Sequence, residues 1–315
     1  FVRDCHGDLH LGNLVRLPSG ITTFDCIEFN PDLRTTDVFA DVGFLVMDLT
    51  EKGHPELAAH FLNRYLERSG DYEGAVLLDL YFVYRCLVRA KVAAIRSRER
   101  DDEDERAADI ADARDYSAMA RRRATNGEPV LVIMHGLSGS GKTWLSERLM
   151  AALPAIRVRS DIERKRLFGL DEDADSESGI GSGIYSPSAS TETYERLFTL
   201  ADSLLAAGHH VILDAAFLKK KQRVFARSVA SSLDVDSVLV YAEAPVDVLR
   251  SRIERRAKRR DEASEANLAV LEHQLDSFTP AGSDERAIRV DTCNEIDVAH
   301  LVSSILAGRQ ERDTL

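Results

Sequence analysis

Gly136-Leu137-Ser138-Gly139-Ser140-Gly141-Lys142-Thr143 decides the fold, because it matches G-x-x-x-x-G-K-S/T between an apolar run (130–135) and a helix-like segment (144–153). Glycines let consecutive backbone N–H groups turn toward one anion, and the N-terminus of the next helix adds positive potential. Lys142 adds a cation and Thr143 a hydroxyl for a metal ion. The alternative is a chance Gly/Ser turn before a helix. The prediction is a polyphosphate-binding loop, with contacts from Gly136, Ser138, Gly139, Ser140, Gly141, Lys142 and Thr143.

Strand-like and helix-like segments alternate along the second half of the chain. Strands are predicted near 130–135, 156–160, 210–214, 237–243 and 287–290. Strands that alternate with helices are typical of a parallel sheet, because each parallel connection needs a crossover. The second half is therefore predicted to be an α/β domain, whose ligands bind at the carboxyl ends of the strands.

Two acidic side chains follow strand-like segments at that edge. Asp161 comes just after the second strand, three residues before Arg164, and Asp214 ends the third. A carboxylate there can accept the proton of an attacking hydroxyl, and an arginine can hold an anionic or hydroxylated acceptor. We therefore predict that Asp161 is a general base, that Arg164 binds the acceptor and that Asp214 binds the metal's water shell. The alternative is that Asp161 caps a helix and Arg164 is solvated.

An arginine-rich helix is predicted after the fourth strand. Seven of the eleven residues 250–260 are Arg or Lys, and one is acidic. Such a segment is typical of a lid over a transferred phosphoryl group, whose negative charge grows in the transition state. A solvated helix face is the alternative, and an RNA-binding stripe is disfavoured because no aromatic residues interleave the cations. The acidic, Gly/Ser-rich stretch 171–183 is predicted to be a mobile loop that either closes over an acceptor or is a tolerated insertion.

The N-terminal segment carries a second group of polar residues with catalytic spacing. Asp8 lies five residues before Asn13 in a loop, and Asp25 comes directly after the strand-like stretch 21–24. This arrangement can aim Asp8 at an attacking hydroxyl and the pair Asn13 and Asp25 at Mg²⁺. Further along, helices are predicted from apolar periodicity at 38–49, 56–69, 75–96 and 107–123.

The boundary between the halves is predicted at Thr125-Asn126-Gly127-Glu128-Pro129, which gives domains 1–126 and 127–315. Just before the last helix of the first half, the charged run 101–105 is predicted to be a solvated turn. A chain of 315 residues is long enough for each domain to bury its own core.

Composition excludes several classes of protein. No run of eighteen apolar residues is present, so neither a membrane span nor a secretory signal is supported. The four cysteines are far apart and form no C-x-x-C pair, which argues against a zinc site and a disulfide framework. The net charge of −12 divides evenly at residue 126, so neither half is a basic platform for nucleic acid. We expect a soluble, cytoplasmic protein without a membrane or nucleic-acid partner.

The first half resembles the aminoglycoside phosphotransferase-like kinases. The stretch His6-Gly7-Asp8-Leu9-His10, together with Asn13, is similar to their catalytic loop, and 24–29 is similar to their metal-binding segment. The resemblance implies a mainly α, kinase-like C-terminal lobe with a short β-hairpin, in which Asp8 is the catalytic base and Asn13 and Asp25 are metal ligands. Glu28 would assist them.

Two further acids match this family, in which such residues cap the next helix and brace the catalytic loop. They are Asp37 and Asp41, and simple helix capping is the alternative. The small lobe that carries the nucleotide-clamping lysine in this family is not found before Phe1. The chain therefore looks cut into, and its first half is expected to lack phosphotransferase activity of its own.

The second half resembles the P-loop kinases grouped with polynucleotide kinase, gluconate kinase and zeta-toxin-like proteins. The likeness rests on the 136–143 loop (the Walker A motif), the pair Asp161 and Arg164, Asp214, and the lid arginines, of which Arg252 and Arg256 match best by spacing. The order of the halves resembles a bacterial bifunctional family with an aminoglycoside phosphotransferase-like domain before a P-loop kinase domain. The resemblance implies ATP and Mg²⁺ as cofactors and catalytic roles for Lys142 and these arginines.

The leading hypothesis is a kinase that passes the γ-phosphate of Mg·ATP to a small hydroxylated acceptor. A nucleotide or polynucleotide end kinase is an alternative that the net charge disfavours. An ATP-dependent switch without a soluble acceptor is a third, and it has no need for a base such as Asp161 on the acceptor side.

Overall fold

The computed structural model describes residues 2–125, 127–179, 181–257, 267–282 and 284–307. The predicted lid cations at 258–260 and the segment 261–266 lie outside the described residues. The chain forms two compact units, Phe1–Leu62 with Asp71–Gly127 and Asn63–Gly70 with Glu128–Leu315. These units differ from the predicted domain ranges mainly because Asn63–Gly70 groups with the second half.

Two small antiparallel sheets lie in the first unit. Their strands are β1 (Val2–Asp4), β2 (Leu14–Leu17), β3 (Gly20–Thr23) and β4 (Thr35–Asp37). β2 and β3 form a hairpin in which Leu17 is opposite Gly20, so the short β-hairpin that the resemblance implies is present. Gly20 has a φ of +132°, a conformation that only glycine adopts without strain. β1 pairs with β4, and three-residue strands such as these are too short for their pattern to predict them.

Helices make up most of the first unit. They are α1 (Pro31–Arg34), α2 (Val38–Glu51), α3 (Pro55–Ser69, whose residues from Asn63 onward belong to the second unit), α4 (Leu78–Glu99) and α5 (Glu103–Ala124). α2 is buried from Phe39 to Leu49, and α4 packs against it with Leu78 and Phe82 fully inside. The four predicted helices are therefore present, and the core of the unit lies around α2.

The start of α5 corrects one prediction. The acidic run 101–105, predicted to be a solvated turn, contains the first turn of this helix. Asp102 is the N-cap, and its carboxylate accepts a hydrogen bond of 2.9 Å from the N–H of Glu105. Acidic side chains in a first turn face the positive end of the helix dipole, which stabilises them there. The helix therefore begins four residues before the predicted position 107.

A five-stranded sheet forms the centre of the second unit. Its strands are β5 (Val130–His135), β6 (Ile156–Arg159), β7 (Val211–Asp214), β8 (Asp236–Glu243) and β9 (Ala287–Asp291). The order across the sheet is β6-β7-β5-β8-β9, and every neighbouring pair is parallel. All of β5 and β7 is buried, as expected for central parallel strands. The predicted parallel sheet is confirmed.

Seven helices of the second unit lie within the described residues. They are α6 (Lys142–Ala152), α7 (Ser160–Leu167), α8 (Pro187–Ala206), α9 (Lys220–Ser232), α10 (Val246–Ala257), α11 (Leu268–Ser277) and α12 (Val298–Ala307). One core cluster joins the sheet to α6 and α12 through side chains such as Val132, Leu149 and Leu301. In the part of the chain that the structure describes, no helix is long and apolar enough to cross a membrane.

A buried ion pair ties α9 to the segment before β9. The guanidinium of Arg223 donates two hydrogen bonds of 2.8 Å to the carboxylate of Glu285, and both side chains are buried. Arg223 also donates to the carbonyl oxygens of Phe217 and Thr279. The hydrogen bonds from Arg223 lower the pKa of Glu285 from 4.5 to about 2.

Glu285→Gln should therefore lower the free energy of unfolding at pH 7 by about 3 kcal/mol, because it leaves a buried guanidinium without its counter-charge. A depressed carboxylate pKa stabilises the fold above pH 4.5, and this stabilisation is lost as the pH falls from 4.5 toward 2. Urea unfolding at pH 7 and pH 3 should show the gap to wild type shrinking in acid. Glu272→Gln, in the exposed pair with Arg250, is the control and should cost less than about 1 kcal/mol. A gap that stays constant with pH would contradict this account.

Candidate functional site

The glycine-rich loop leaves the central strand β5 and enters α6 in a conformation that requires glycine. Gly136, Gly139 and Gly141 have φ values of +139°, +80° and +87°. A Cβ on Gly136 would lie 2.5 Å from the carbonyl oxygen of Ala242, and one on Gly139 would lie 2.7 Å from that of Leu249. The backbone can thus wrap one point closely, and α6 begins directly after the last of these glycines.

The ammonium group of Lys142 lies inside this loop. Its Nζ donates a hydrogen bond of 2.8 Å to the carbonyl oxygen of Leu137. Burial lowers the pKa of Lys142 from 10.5 to about 8; Asp214 and Asp161 oppose that change, and Arg256 adds to it. The residues predicted at the phosphate end of the site are therefore close enough to influence one another electrostatically.

Thr143 and Asp214 are the candidate metal ligands at this end. Thr143 is exposed in the first turn of α6, and Asp214 is buried at the carboxyl end of β7. The carboxylate Oδ2 of Asp214 accepts a hydrogen bond of 2.9 Å from the hydroxyl of Ser146, which lies one turn after Thr143 on α6. Oxygen donors of this kind fit Mg²⁺, which binds proteins through few side chains and takes phosphate oxygens and waters as its other ligands.

The structure also indicates which groups at the loop are available to a phosphate and to a metal ion. Ser140 Oγ is buried without a hydrogen-bond partner in the described part of the protein, so it is an available donor at the loop. Among the same residues, no group of three or more His, Cys, Asp or Glu is placed to hold a metal ion by itself. A metal ion at Thr143 and Asp214 would therefore need oxygen atoms of a bound phosphate, and waters, as its other ligands.

Asp161 and Arg164 lie in the first turns of α7, and the structure gives them different surroundings. Asp161 is partly exposed and influences the pKa of Lys142. Arg164 is buried, and its guanidinium donates to the carbonyl oxygen of Ile184 at 3.0 Å and to the hydroxyl of Ser190 at 3.4 Å. It also lies 5.1 Å from the ring centre of Tyr185. Arg164 thus fastens the segment before α8, and acceptor binding through Arg164 stays a prediction.

The lid arginines also differ from each other. Arg252 donates to Thr292 Oγ1 and to the Thr292 carbonyl oxygen, both at 2.8 Å, and to the Gly139 carbonyl oxygen at 3.3 Å. It therefore braces the loop from outside, and its predicted contact with a phosphoryl group stays a prediction. Arg256, one turn later on α10, is partly exposed and adds positive potential at Lys142.

Glu172 anchors the first part of the loop 171–183. Glu172 accepts hydrogen bonds of 2.7 to 2.9 Å from the guanidinium groups of Arg64 and Arg68. These contacts, with the hydrogen bond of 3.0 Å from Lys165 to its carbonyl oxygen, hold the first residues of the loop. The mobility of the loop stays a prediction.

In the first unit, Asp8 and Asn13 are brought together. Asn13 Nδ2 donates to the carbonyl oxygen of Asp8 at 3.0 Å and to its carboxylate at 3.3 Å. Asp25 is exposed with a φ of +58°, directly after Phe24. The backbone of Phe24 donates to the Asn13 carbonyl oxygen and accepts from the ring of His6. The roles of Asp8, Asn13 and Asp25 stay predictions.

Acids on α2 hold this N-terminal loop. Asp37 is the N-cap of α2, whereas Asp41 accepts from the N–H groups of His6 and Gly7 at 2.7 and 3.0 Å. Asp41 thus braces the loop, and only Asp37 caps the helix. Asp48 also braces the loop, since its carboxylate accepts a hydrogen bond of 2.8 Å from the N–H of Leu11. Sequence reasoning missed Asp48, although a buried acid within an apolar helix is itself a signal of a bound partner.

A glycine-rich loop between a central parallel strand and a helix, with a buried acid at the end of the neighbouring strand, defines the second unit as a P-loop domain. Residues 131–281 match the family model described as AAA domain. The match covers β5 to β8 and continues beyond α11.

Curated relatives match both halves of the chain. Uncharacterized proteins of Mycobacterium bovis and Mycobacterium tuberculosis are each 31% identical over 294 residues, covering 90% of this chain and 57% of their own length. The chain thus spans a little over half the length of these relatives.

Several solved structures match as well, and each match covers 57% of this chain. A gluconokinase from Sinorhizobium meliloti is 20% identical, with a TM-score of 0.39 and 91% of its chain covered. A sugar kinase from Janibacter is also 20% identical, with a TM-score of 0.43 and 94% covered. The Mycobacterium tuberculosis APS kinase in complex with AMPPNP and APS is 20% identical, with a TM-score of 0.42 and 96% covered.

Proposed function

We propose that the second unit is a Mg·ATP-dependent phosphotransferase that passes the γ-phosphoryl group to a hydroxyl of a small molecule. The observation that carries this proposal is the charge arrangement at the loop. A desolvated ammonium, Lys142, lies within a backbone turn of three left-handed glycines, with the carboxylates of Asp161 and Asp214 near it. A cation and the backbone N–H groups of such a loop bind a polyphosphate, and two acids beside them supply a metal ligand and a general base for phosphoryl transfer.

Each residue has one task in this mechanism. Lys142 and the loop N–H groups would hold the β- and γ-phosphates and stabilise the charge that develops during transfer. The N–H of Ser138, which donates to Oε1 of Gln274 at 2.8 Å, would exchange that acceptor for a phosphate oxygen. Thr143 and Asp214 would hold Mg²⁺, which when bound neutralises charge on the phosphates.

Asp161 accepts the proton of the acceptor hydroxyl as its oxygen bonds to the γ-phosphorus; the bond from the γ-phosphorus to the β–γ bridging oxygen breaks, and ADP leaves. Arg256 adds positive potential at Lys142 and would favour negative charge there.

The test is a transfer assay with the whole chain. ATP turnover and phosphoryl transfer would be measured across sugars, amino sugars, aminoglycosides and nucleosides, with phosphate release in the absence of acceptor as the baseline. Transfer to a small acceptor well above that baseline supports the proposal. Phosphate release that no acceptor changes would instead support an ATP-dependent switch, and transfer only to nucleotide or polynucleotide ends would support an end kinase.

Asp8→Ala should leave the turnover of the whole chain within about twofold of wild type, because effects of sites without shared partners are independent. Asp8 contacts Asn13 and His10 in the first unit, whereas the proposed reaction uses residues of the second. Asp202→Ala, an exposed acid of α8, is the control for a neutral change. Turnover that disappears with Asp8→Ala and survives loss of Lys142 would place the activity at the first unit.

A further inference from the structure

The stretch Asn63–Gly70, the C-terminal part of α3 with the residue after it, belongs to the second unit. Its first residue contacts the main chain on both sides of Ile156, the first residue of β6. Asn63 Nδ2 donates to the carbonyl oxygen of Ala155 at 2.9 Å, and Asn63 Oδ1 accepts from the N–H of Arg157 at 2.7 Å. The side-chain amide thus binds like a peptide group of a neighbouring strand, and this fixes the stretch 63–70 against β6.

One turn later, Glu67 places a buried carboxylate between two arginines of β6. Glu67 is 3% exposed, and its Oε1 accepts from the Nε and Nη2 atoms of Arg157 at 3.2 and 2.8 Å. Its Oε2 lies 3.7 Å from Nη1 of Arg159. Arg157 is itself buried, so its charge depends on Glu67 for compensation.

Both arginines connect Glu67 to the residues around Asp214, at the carboxyl end of β7. Nη1 of Arg157 donates to the Ser146 hydroxyl at 3.4 Å and lies 3.5 Å from the carbonyl oxygen of Thr143. The Ser146 hydroxyl accepts from Arg157, and its single proton is shared between Oδ2 of Asp214 at 2.9 Å and the carbonyl oxygen of Thr143 at 3.0 Å. Nε of Arg159 lies 4.0 Å from the same Oδ2.

The negative charge of Glu67 determines how Arg157 and Arg159 affect Asp214. Without Glu67, the buried guanidinium of Arg157 would lose its counter-charge, and Arg159, 4.0 Å from Oδ2 of Asp214, would compete with a metal ion for that carboxylate. With Glu67 present, Arg157 is held by its own counter-charge and orients Ser146, while the carboxylate of Asp214 keeps its negative charge for the metal's water shell.

We propose that Glu67 is a positioning residue for the metal–nucleotide site: through Arg157 and Ser146 it sets the orientation and the available charge of Asp214. This inference rests on the proposed function. Glu67 touches neither nucleotide nor metal in it, so the expected effect is on the energetic coupling between Mg²⁺ and nucleotide.

The experiment measures the Kd of ADP for the whole chain, with Mg²⁺ and with a chelator, by calorimetry. The Kd measured with the chelator divided by the Kd measured with Mg²⁺ gives the coupling between metal and nucleotide. Glu67→Gln should lower this ratio about tenfold, the effect typical of removing an outer-shell partner, while the chelator Kd changes less than about threefold. Glu67→Asp keeps the charge and should recover most of the coupling.

The matched control is Glu285→Gln, which removes a different buried Arg–Glu pair of the same unit. It should destabilise the fold without changing the coupling ratio. If Glu67→Gln does not fold, Arg157→Lys serves as the second variant, because it keeps the charge but cannot bond Glu67 and Ser146 together. The same tenfold loss is expected from it.

Three outcomes separate the possibilities. A loss of coupling in the Glu67 and Arg157 variants but not in Glu285→Gln supports the proposal. Unchanged coupling in those variants, or an equal loss in Glu285→Gln, overturns it while the proposed function stands. If wild type itself binds ADP no better with Mg²⁺ than without, the proposed function fails, and the role assigned to Glu67 falls with it.

Discussion

Lys142→Ala should reduce ATP turnover about a hundred- to a thousandfold, the size of effect that loss of one preorganised transition-state interaction produces. The substitution removes the ammonium that lies inside the glycine loop. Its one hydrogen bond in the described structure is to the Leu137 carbonyl oxygen, so little of the packing depends on it. Phosphate release by the purified variant at saturating ATP measures the effect.

Lys221→Ala is the matched control, because this lysine is exposed on α9. It should keep wild-type turnover, and the urea midpoint of both variants should stay close to that of wild type. Near-full turnover by Lys142→Ala would remove the second unit as the site of the reaction.

Asp161→Asn should lower phosphoryl transfer about a hundredfold or more while ATP affinity stays near that of wild type, since the amide keeps the shape and removes the base. Binding titrations and transfer rates must be measured on the same protein, because the prediction concerns their difference. Asp202→Asn, on the exposed face of α8, is the control. An equal fall in ATP affinity and in transfer would make Asp161 a structural or metal-site residue.

Much of the second unit could be predicted from its sequence. The apolar runs before the loop and before Asp214 predicted the strands β5 and β7, because central parallel strands are buried on both faces. The loop pattern predicted left-handed glycines, since backbone N–H groups converge only in that conformation. These signals are local, within about ten residues.

The side-chain contacts around the site could not be predicted from the sequence. Arg252 was predicted from spacing as a phosphate contact, yet its guanidinium binds Thr292, forty residues away. Glu67 and Arg157 are ninety residues apart and belong to elements whose periodicity says nothing about each other. Pairings of this kind follow from packing, so a single sequence carries no pattern for them.

The amide of Asn63 has a consequence for the solubility of the P-loop domain. β6 is one of the two outer strands of its sheet, and an uncovered outer strand is a template on which a second chain can add by main-chain pairing. Asn63 occupies the carbonyl of Ala155, just before β6, and the amide of Arg157 on that strand. The segment that protects this edge of the sheet against intermolecular pairing is thus encoded more than sixty residues upstream of the sheet, and a domain cut at the linker would leave that edge open.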